Sequence, residues 1–245
     1  MSKILKMALM LTVMITLAYS QADERAALRG AVGPSFAFLV SFDLDEEAFV
    51  DLGDFTAAFD ITNPNNESAI NGSNLLMTGF EGFGEVTPHW TIGMFAAQGE
   101  YSAHAQDAAE VDYGVRFMLS QVGVTAELNT HSRARLNLLA GSAFGLGQAS
   151  LIANSSPSNE SWTTVIGGDS TRQAFDVSAW TSVIQPYLGM RFDISRSIGF
   201  KAVAGWNEQV ASAGSWRLYN KKVISDSPEV ALRALFFRFQ LFVLL

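Results

Sequence analysis

The sequence predicts an all-β protein, an up-and-down antiparallel β-barrel of about eight strands and at most ten. Three observations predict this fold. Apolar residues recur at every second position from Leu75 onward, which is the period of a strand with one apolar face. Segments rich in Gly, Asn, Ser and Pro separate these runs. The predicted connections alternate between short and long, as expected when successive connections lie at opposite rims of one barrel.

The N-terminal segment, residues 1–22, is predicted to be a cleaved secretory signal. Lys3 and Lys6 precede an apolar core from Met7 to Leu17, and small residues follow at the spacing that a signal peptidase requires. The core is too short to span a bilayer comfortably as a helix, although an uncleaved anchor is the alternative. Removal of the two lysines changes the formal net charge from −8 to −10.

Residues 23–74 are predicted to contain the first strand, a short helix and a loop. The strand covers Ser35 to Phe42, with phenylalanines on one face. Asp43 has the features of a helix cap, and the helical spacing that follows ends near Gly53. Residues 61–74 form a loop by their composition. A row of small residues in a later strand leaves room for this helix against or inside the barrel: Gly141, Ala143 and Gly145.

Residues 75–245 are predicted to complete the same barrel domain. Alternation indicates a strand in each of seven segments, and the stretch from Trp216 to Lys222 is either a ninth strand or a hairpin within a loop. Between Val111 and Leu119 the apolar residues have odd numbers, but beyond Ser120 they have even numbers, which predicts a β-bulge. The seven predicted strands cover residues 75–84, 89–102, 111–128, 133–153, 175–194, 198–208 and 229–244.

Composition excludes several classes of function. The chain contains no cysteine, which excludes disulfides, thiol catalysis and cysteine-based zinc sites. Its acidic balance and the absence of a basic stripe argue against nucleic-acid binding. His89, His104 and His131 have no metal-binding spacing, and Ser170 lies in a loop rather than at a nucleophile elbow. We therefore predict no catalytic residues, no metal and no cofactor.

Charged and amide side chains lie opposite the apolar stripes in several predicted strands. Because alternate residues of a strand face opposite ways, we expect these side chains to line the barrel interior. A tight turn at 195–197 places Arg191 opposite Lys201, so an acid must balance two like charges, either Asp193 on the diagonal or Glu127 from another strand. The predicted interior residues are Arg116, Glu127, Arg191, Asp193, Lys201, Arg238 and Gln240.

The last strand carries a resemblance to a known class of proteins. Apolar residues occupy every second position up to Leu245: Phe237, Phe239, Leu241 and Val243. The predicted connections are also short at one rim of the barrel and long at the other. In this pattern the sequence resembles the small bacterial outer-membrane β-barrels. These proteins usually end in an aromatic residue, whereas this chain ends in leucine. The resemblance implies a bacterial outer-membrane location, contact with the lipid bilayer and with the barrel-insertion machinery, and a structural, surface-exposed or small-pore role without catalysis.

The resemblance assigns the apolar faces to lipid. Strands as long as 111–128 also exceed the nine to eleven residues, roughly, that cross a bilayer. The alternative is a secreted or periplasmic soluble barrel that binds an apolar ligand, because alternation is common to both. Tyr113, Trp180 and Trp206 are the predicted membrane-interface aromatics. The predicted lipid-facing residues are Phe192, Ile194, Ile198, Phe200, Phe237, Phe239 and Leu241.

Overall fold

The computed structural model describes residues 29–44, 74–87, 89–106, 111–130, 135–157, 173–224, 227 and 229–245. The predicted signal, His131 and Ser170 lie outside these residues. The predicted helix also lies outside them from position 45 onward, and Asp43 and Leu44 belong to the first strand. Among the described residues, no helix is long and apolar enough to span a membrane.

Ten strands make up the described structure, eight of them long. The alternation of the sequence explains their length, since each has one face that is buried and one that is exposed. They are β1 (Gly30–Leu44), β2 (Leu75–Thr87), β3 (Trp90–Gln106), β4 (Val111–Asn129), β5 (Leu136–Pro157), β6 (Gln173–Asp193), β7 (Ile198–Ala211), β8 (Arg217–Leu218), β9 (Lys222–Val223) and β10 (Val230–Leu244).

The eight long strands close into one antiparallel barrel. Each of β1 to β7 pairs with its neighbour in sequence, and β10 pairs with both β7 and β1. The predicted fold class, an up-and-down barrel of about eight strands, is confirmed. The hairpin register is also confirmed, because Phe192 pairs with Phe200 and Arg191 with Lys201. The segment at 216–222 forms the small hairpin β8–β9, which pairs with β6 above the end of β7.

The rims of the barrel differ, but less simply than the sequence predicts. At the lower rim the strand ends are separated by residues 88–89, 130–135 and 194–197 of the sequence, and at the upper rim by residues 45–74, 107–110, 158–172 and 212–229. The strict alternation of short and long is wrong, since 107–110 is shorter than 130–135. Pairing between β3 and β4 continues up to Gln106 and Asp112, so residues assigned to a loop extend the strands instead.

The wall of the barrel is higher on one side. Strands β4, β5 and β6 have 19, 22 and 21 residues, whereas β2 and β7 have 13 and 14. The upper part of β6, beyond the last pair with β7 at Thr181, pairs with β8 instead. Tyr219 and Asn220 at the tip of this hairpin have positive φ angles of 51° and 57°, the left-handed conformation of a tight hairpin turn.

The bulge predicted in β4 is wrong. The register of β4 with β3 and with β5 runs without a shift through Ser120 and Gln121. Its odd-numbered residues face inward along the whole strand, from Val115 to Asn129. The apolar residues change from odd to even positions because the inward face changes from apolar to polar residues as the strand descends. Register shifts occur in other strands, in β1 between Val40 and Asp43 and in β2 between Glu85 and Thr87.

Candidate functional site

The barrel interior is the candidate site, and its chemistry changes along the barrel axis. The inward face of β4 passes from Val115, Phe117 and Leu119 through Gln121 to Glu127 as the strand descends. The inward face of β10 makes the same change, from apolar residues at its upper end to charge below. We call the charged part the lower interior and the apolar part the upper interior. The inward residues of β10 are, in descending order, Val230, Leu232, Ala234, Phe236, Arg238, Gln240 and Phe242.

Lys201 holds the centre of the lower interior. Its ammonium group donates to a carboxylate oxygen of Glu81 and, at 2.7 Å, to Glu127. All three side chains are at most 3% exposed. Two carboxylates around one ammonium would leave an unbalanced negative charge, but Arg238 approaches the second oxygen of Glu81 at 3.3 Å. The four groups are therefore neutral together, which is the condition for burying charge at tolerable cost.

Arg191 forms a second buried ion pair at the lower end. Its guanidinium lies 3.3 Å from Glu85 and 3.8 Å from Asp193. Arg191 of β6 pairs with Lys201 of β7, so the two like charges lie opposite each other as predicted. Each cation has its own acid, however, and the two acids of β2, Glu81 and Glu85, supply most of this balance.

Aromatic rings surround the buried cations. The Arg238 guanidinium lies 5.0 Å from the ring centre of Tyr187 and 5.5 Å from that of Phe95. Tyr187 donates its hydroxyl hydrogen to Glu127 at 2.8 Å, which joins the ring to the ion network. Cation–π contacts of this kind are strongest where water is excluded. Ions, hydrogen bonds and rings thus fill the space that a pore would need.

A belt of amide side chains separates the lower from the upper interior. Gln185 donates to Gln121 and to Asn207, both at 2.8 Å. Gln121 in turn donates to Gln209 at 2.7 Å, and Arg238 donates to Gln185 at 3.3 Å. Amide side chains both donate and accept hydrogen bonds. They can therefore lie between the charged groups and the apolar layer and form hydrogen bonds with the charged groups and with one another.

The upper interior is apolar. Its side chains form one buried cluster that includes Trp216 from the connection before β8. Phe117, Leu119, Leu39 and Leu75 are each 1% exposed, as in the core of a soluble protein. Other members of the cluster in the upper interior include Met77, Leu151, Leu232 and Phe236.

The small residues of β5 make room for interior side chains. A Cβ atom at Gly141 would lie 2.9 Å from the Tyr187 ring and 3.0 Å from Glu127. A Cβ atom at Gly147 would lie 2.6 Å from the amide nitrogen of Gln209. The space that the sequence suggests for a helix at Gly141 is therefore occupied by the network itself.

The outer surface of the barrel is apolar over a continuous band. Leu188 is 68% exposed, Phe80 is 60% exposed and Leu146 is 59% exposed. Toward the upper rim the same face becomes polar, where Arg233 pairs with Glu208 at 3.4 Å and Arg116 with Glu100 at 3.0 Å. The band includes Phe36, Phe38, Leu76, Phe80, Ile92, Val124, Leu128, Leu138, Phe144, Leu146, Ile184, Leu188, Met190, Leu235, Phe237, Phe239, Leu241 and Val243.

The structure places most of the predicted interior residues inside the barrel. The exception is Arg116, which is exposed on the outer face beside Glu100. The sequence interpretation of Arg116 is wrong because the apolar residues beside it, Val115 and Phe117, belong to the upper interior. Asp193 lies at the lower edge, with its side chain 11% exposed. Five predicted residues are buried at 4% exposure or less: Glu127, Arg191, Lys201, Arg238 and Gln240.

The predicted surface residues lie on the outer face wherever their side chains are described. Trp180 is 52% exposed and Trp206 is 42% exposed. Trp206 pairs with Leu235, so it lies within the apolar band rather than at its upper border. The side chain of Tyr113 lies outside the described part of the chain. The predicted lipid-facing residues all lie on the outer face: Phe192, Ile194, Ile198, Phe200, Phe237, Phe239 and Leu241.

Sequence reasoning missed several members of the interior network. Glu81 and Glu85 are central to it, but β2 has apolar residues on both faces, so its alternation gives no signal. Tyr187 alternates with Gln185 and Arg191 on the inward face of β6, and its ring contacts that of Phe236 edge-on, with ring centres 6.3 Å apart. The amides Gln121, Gln185, Asn207 and Gln209 each appear unremarkable in sequence, because only the closed barrel brings their three strands together.

Other candidate chemistry finds no support in the described residues. Within them, no group of three acidic or histidine side chains is arranged to hold a metal ion. His89 lies in the lower turn, 3.3 Å from the carbonyl oxygen of Asn129. Ser102 donates to Glu100 at 3.2 Å on the exposed face, and that acid is engaged by Arg116.

Comparison with known proteins returns structures but no sequence relatives. No protein-family model and no curated protein matches the sequence. Similar solved structures include the attachment invasion locus protein Ail of Yersinia pestis, with 10% identity, a TM-score of 0.38 and coverage of 89% of this chain and 99% of Ail. The outer-membrane protein OprG of Pseudomonas aeruginosa has 7% identity, a TM-score of 0.41 and coverage of 89% and 95%.

An enzyme is also among the similar structures. The outer-membrane protease OmpT of Escherichia coli has 10% identity, a TM-score of 0.36 and coverage of 92% of this chain and 98% of OmpT. At these identities and scores, the strand pairing of the chain itself establishes the barrel. The role of the barrel must be argued from its own interior and surface.

Proposed function

We propose that this chain is an integral outer-membrane β-barrel with a structural or surface-exposed role and a closed interior. One observation carries the proposal: the barrel is inverted relative to a soluble protein. Its charged side chains, among them Lys201 and Glu81, are buried at 1% exposure, while large apolar residues such as Leu188 stand 68% exposed. Soluble monomers rarely expose an apolar surface this continuous, whereas a bilayer requires one.

The polar boundary of the band supports the same placement. The outer face becomes charged at Glu208, Arg233, Glu100 and Arg116, all toward the upper rim. Transmembrane barrels carry short turns on the periplasmic side and longer loops outside. We therefore assign the lower rim to the periplasm and the upper rim to the cell surface. The alternating C-terminal strand β10 fits recognition by the barrel-insertion machinery.

The soluble alternative requires a cavity for an apolar ligand. The lower interior is filled by ion pairs, and the side chains of the upper interior are packed against one another at a few per cent exposure. An interior of eight strands is just wide enough for side chains to fill it. The packing supports a closed barrel with little or no conductance.

Replacing Leu188 by Arg tests the membrane assignment. Leu188 lies opposite Ala140 and Ala204 in the middle of the band, where an arginine costs about 2–4 kcal/mol in a bilayer. We expect reduced insertion into vesicles, measured by the heat-dependent shift in gel migration of the folded barrel. Gln98→Arg is the matched control, because Gln98 is exposed on the polar part of the outer face. Insertion of Leu188→Arg as efficient as that of Gln98→Arg would refute the proposal, and so would recovery of the unaltered protein in the soluble fraction.

A further inference from the structure

A group of arginines lies at the lower rim, apart from the interior network. Arg29, Arg135 and Arg196 line a cavity of about 540 Å³ together with Asp193 and the last residues of β10. Among the described residues that line this cavity, Asp193 is the one acidic side chain, so the guanidinium groups outnumber it. Asp193 is also shared, at 3.8 Å each, between Arg29 and the buried Arg191.

Arg135 is held in place by the β6–β7 turn. Its guanidinium donates to the carbonyl oxygens of Asp193 and Ile194, both at 3.2 Å, and lies 5.4 Å from the ring centre of Phe192. These contacts fix the orientation of the group and use only part of its five N–H donors. The remaining donors are available to an oxygen-rich anion. Arg196 is exposed in the same turn, and no acidic partner for it is recorded among the described residues.

Apolar side chains directly adjoin this cavity. Ile194 is 49% exposed and Leu245 is 65% exposed, and both continue the apolar band to its lower end. A ligand here would meet guanidinium groups on one side and apolar surface on the other. A phospholipid has this combination, with a phosphate that arginine binds in two-point contacts and acyl chains alongside.

We propose that the lower rim binds the phosphate of an anionic phospholipid through Arg29, Arg135 and Arg196. The inference rests on the proposed function, because the lipid reaches this site from the leaflet that surrounds the lower end of the barrel. Each arginine near a lipid surface contributes about fivefold in affinity for anionic lipid. Three such groups at one rim would retain anionic lipid against a zwitterionic background.

Titration of the refolded barrel with short-chain lipids tests the site. The protein, in dodecylmaltoside micelles, is titrated separately with dihexanoyl phosphatidylglycerol, dihexanoyl phosphatidylcholine and inorganic phosphate, and the amide NMR shifts of residues 194–197 are followed. We expect the phosphatidylglycerol to bind at least about fivefold more tightly than the phosphatidylcholine. The preference should weaken as salt is added, because ions screen exposed charges. If inorganic phosphate bound as tightly as the lipid, the site would be one for a free anion, and the proposal would be overturned.

Two variants and a control isolate the arginines. Arg196→Gln should lower the preference about fivefold without disturbing the barrel, and the double variant with Arg135→Gln should lower it further, to what Arg29 alone provides. Arg116→Gln, at the upper rim, should leave it unchanged. If the barrel folds with normal heat-dependent migration but shows no preference, or the variants bind as the unaltered protein does, this inference is refuted while the proposed function stands. Failure of the unaltered chain to enter micelles or vesicles would refute the proposed function instead.

Discussion

The lower and upper interiors are held together by different forces, although the same eight strands enclose both. In the lower interior, Lys201, Glu81, Glu127 and Arg238 neutralise one another across four strands. In the upper interior, Phe117 and its neighbours pack as an ordinary apolar core. The difference follows the surroundings that we propose. Where lipid covers the outer face, polar groups are turned inward, and where the wall rises above the lipid, the core becomes apolar as in a soluble β-protein.

Removal of the central cation should have the largest effect. Lys201→Met leaves the buried carboxylates of Glu81 and Glu127 without their ammonium partner, and breaking a buried pair from one side costs about 3–5 kcal/mol. Urea unfolding in vesicles, followed by tryptophan fluorescence, measures the loss. The loss should shrink at acid pH, because a protonated carboxyl group carries no uncompensated charge. A small loss that does not depend on pH would contradict the assignment of ion pairing to the lower interior.

A cavity in the upper interior should cost somewhat less and should not depend on pH. Leu119→Ala removes a side chain that is 1% exposed, and such truncations cost about 3 kcal/mol. The same urea unfolding, repeated at neutral and acid pH, measures it. If the loss for this variant changed with pH as it does for Lys201→Met, the two interiors would not be distinct.

The amide belt should show an intermediate effect. Gln185→Leu removes the hydrogen bonds that Gln185 makes with Arg238, Gln121 and Asn207, and the loss of hydrogen bonds from buried polar groups costs about 1–3 kcal/mol. Unfolding of this variant is compared with that of Gln98→Leu, an exposed amide on the outer face. Equal stabilities of the two variants would show that the belt does not join the two interiors.

The smallest effect is expected at the surface ion pair above the band. Arg233→Ala removes a contact of 3.4 Å to Glu208, with both side chains more than 40% exposed. Exposed pairs of this kind contribute less than about 1 kcal/mol. Urea unfolding should therefore barely change. A loss as large as that of Lys201→Met would place this pair in a buried environment and move the border of the apolar band.

Conductance separates a closed interior from a pore. We expect the purified protein in planar bilayers to give no large, stable single-channel currents, because side chains fill the interior from Glu85 to the upper cluster. Gln185→Gly opens the belt but leaves the ion pairs of Glu81 with Lys201 and Arg238 in place, so this variant should still conduct poorly. Stable large currents from the unaltered protein would contradict the closed interior.

The sequence alone determined the strand segments, the number of strands and the inward face of the C-terminal half. These follow from local alternation, because alternate residues of a strand face opposite sides of the barrel wall. Phe192 faces outward, for example, and its neighbour Arg191 faces inward. Alternation does not identify the inward face where the barrel interior and the outer surface both change in polarity along one strand. That is why β4 suggested a bulge and why Arg116 was assigned to the interior, when it pairs with Glu100 outside.

Only the tertiary structure decided which charges balance. Lys201 meets Glu81 and Glu127 from strands that lie far away in sequence, and β2 carries apolar residues on both faces, so nothing local marks Glu81. Closure of the barrel brings these strands around one axis, and the loss of water inside makes each unpaired charge costly. The order of layers, ions below, amides between and apolar side chains above, is therefore a property of the closed barrel and not of any single strand.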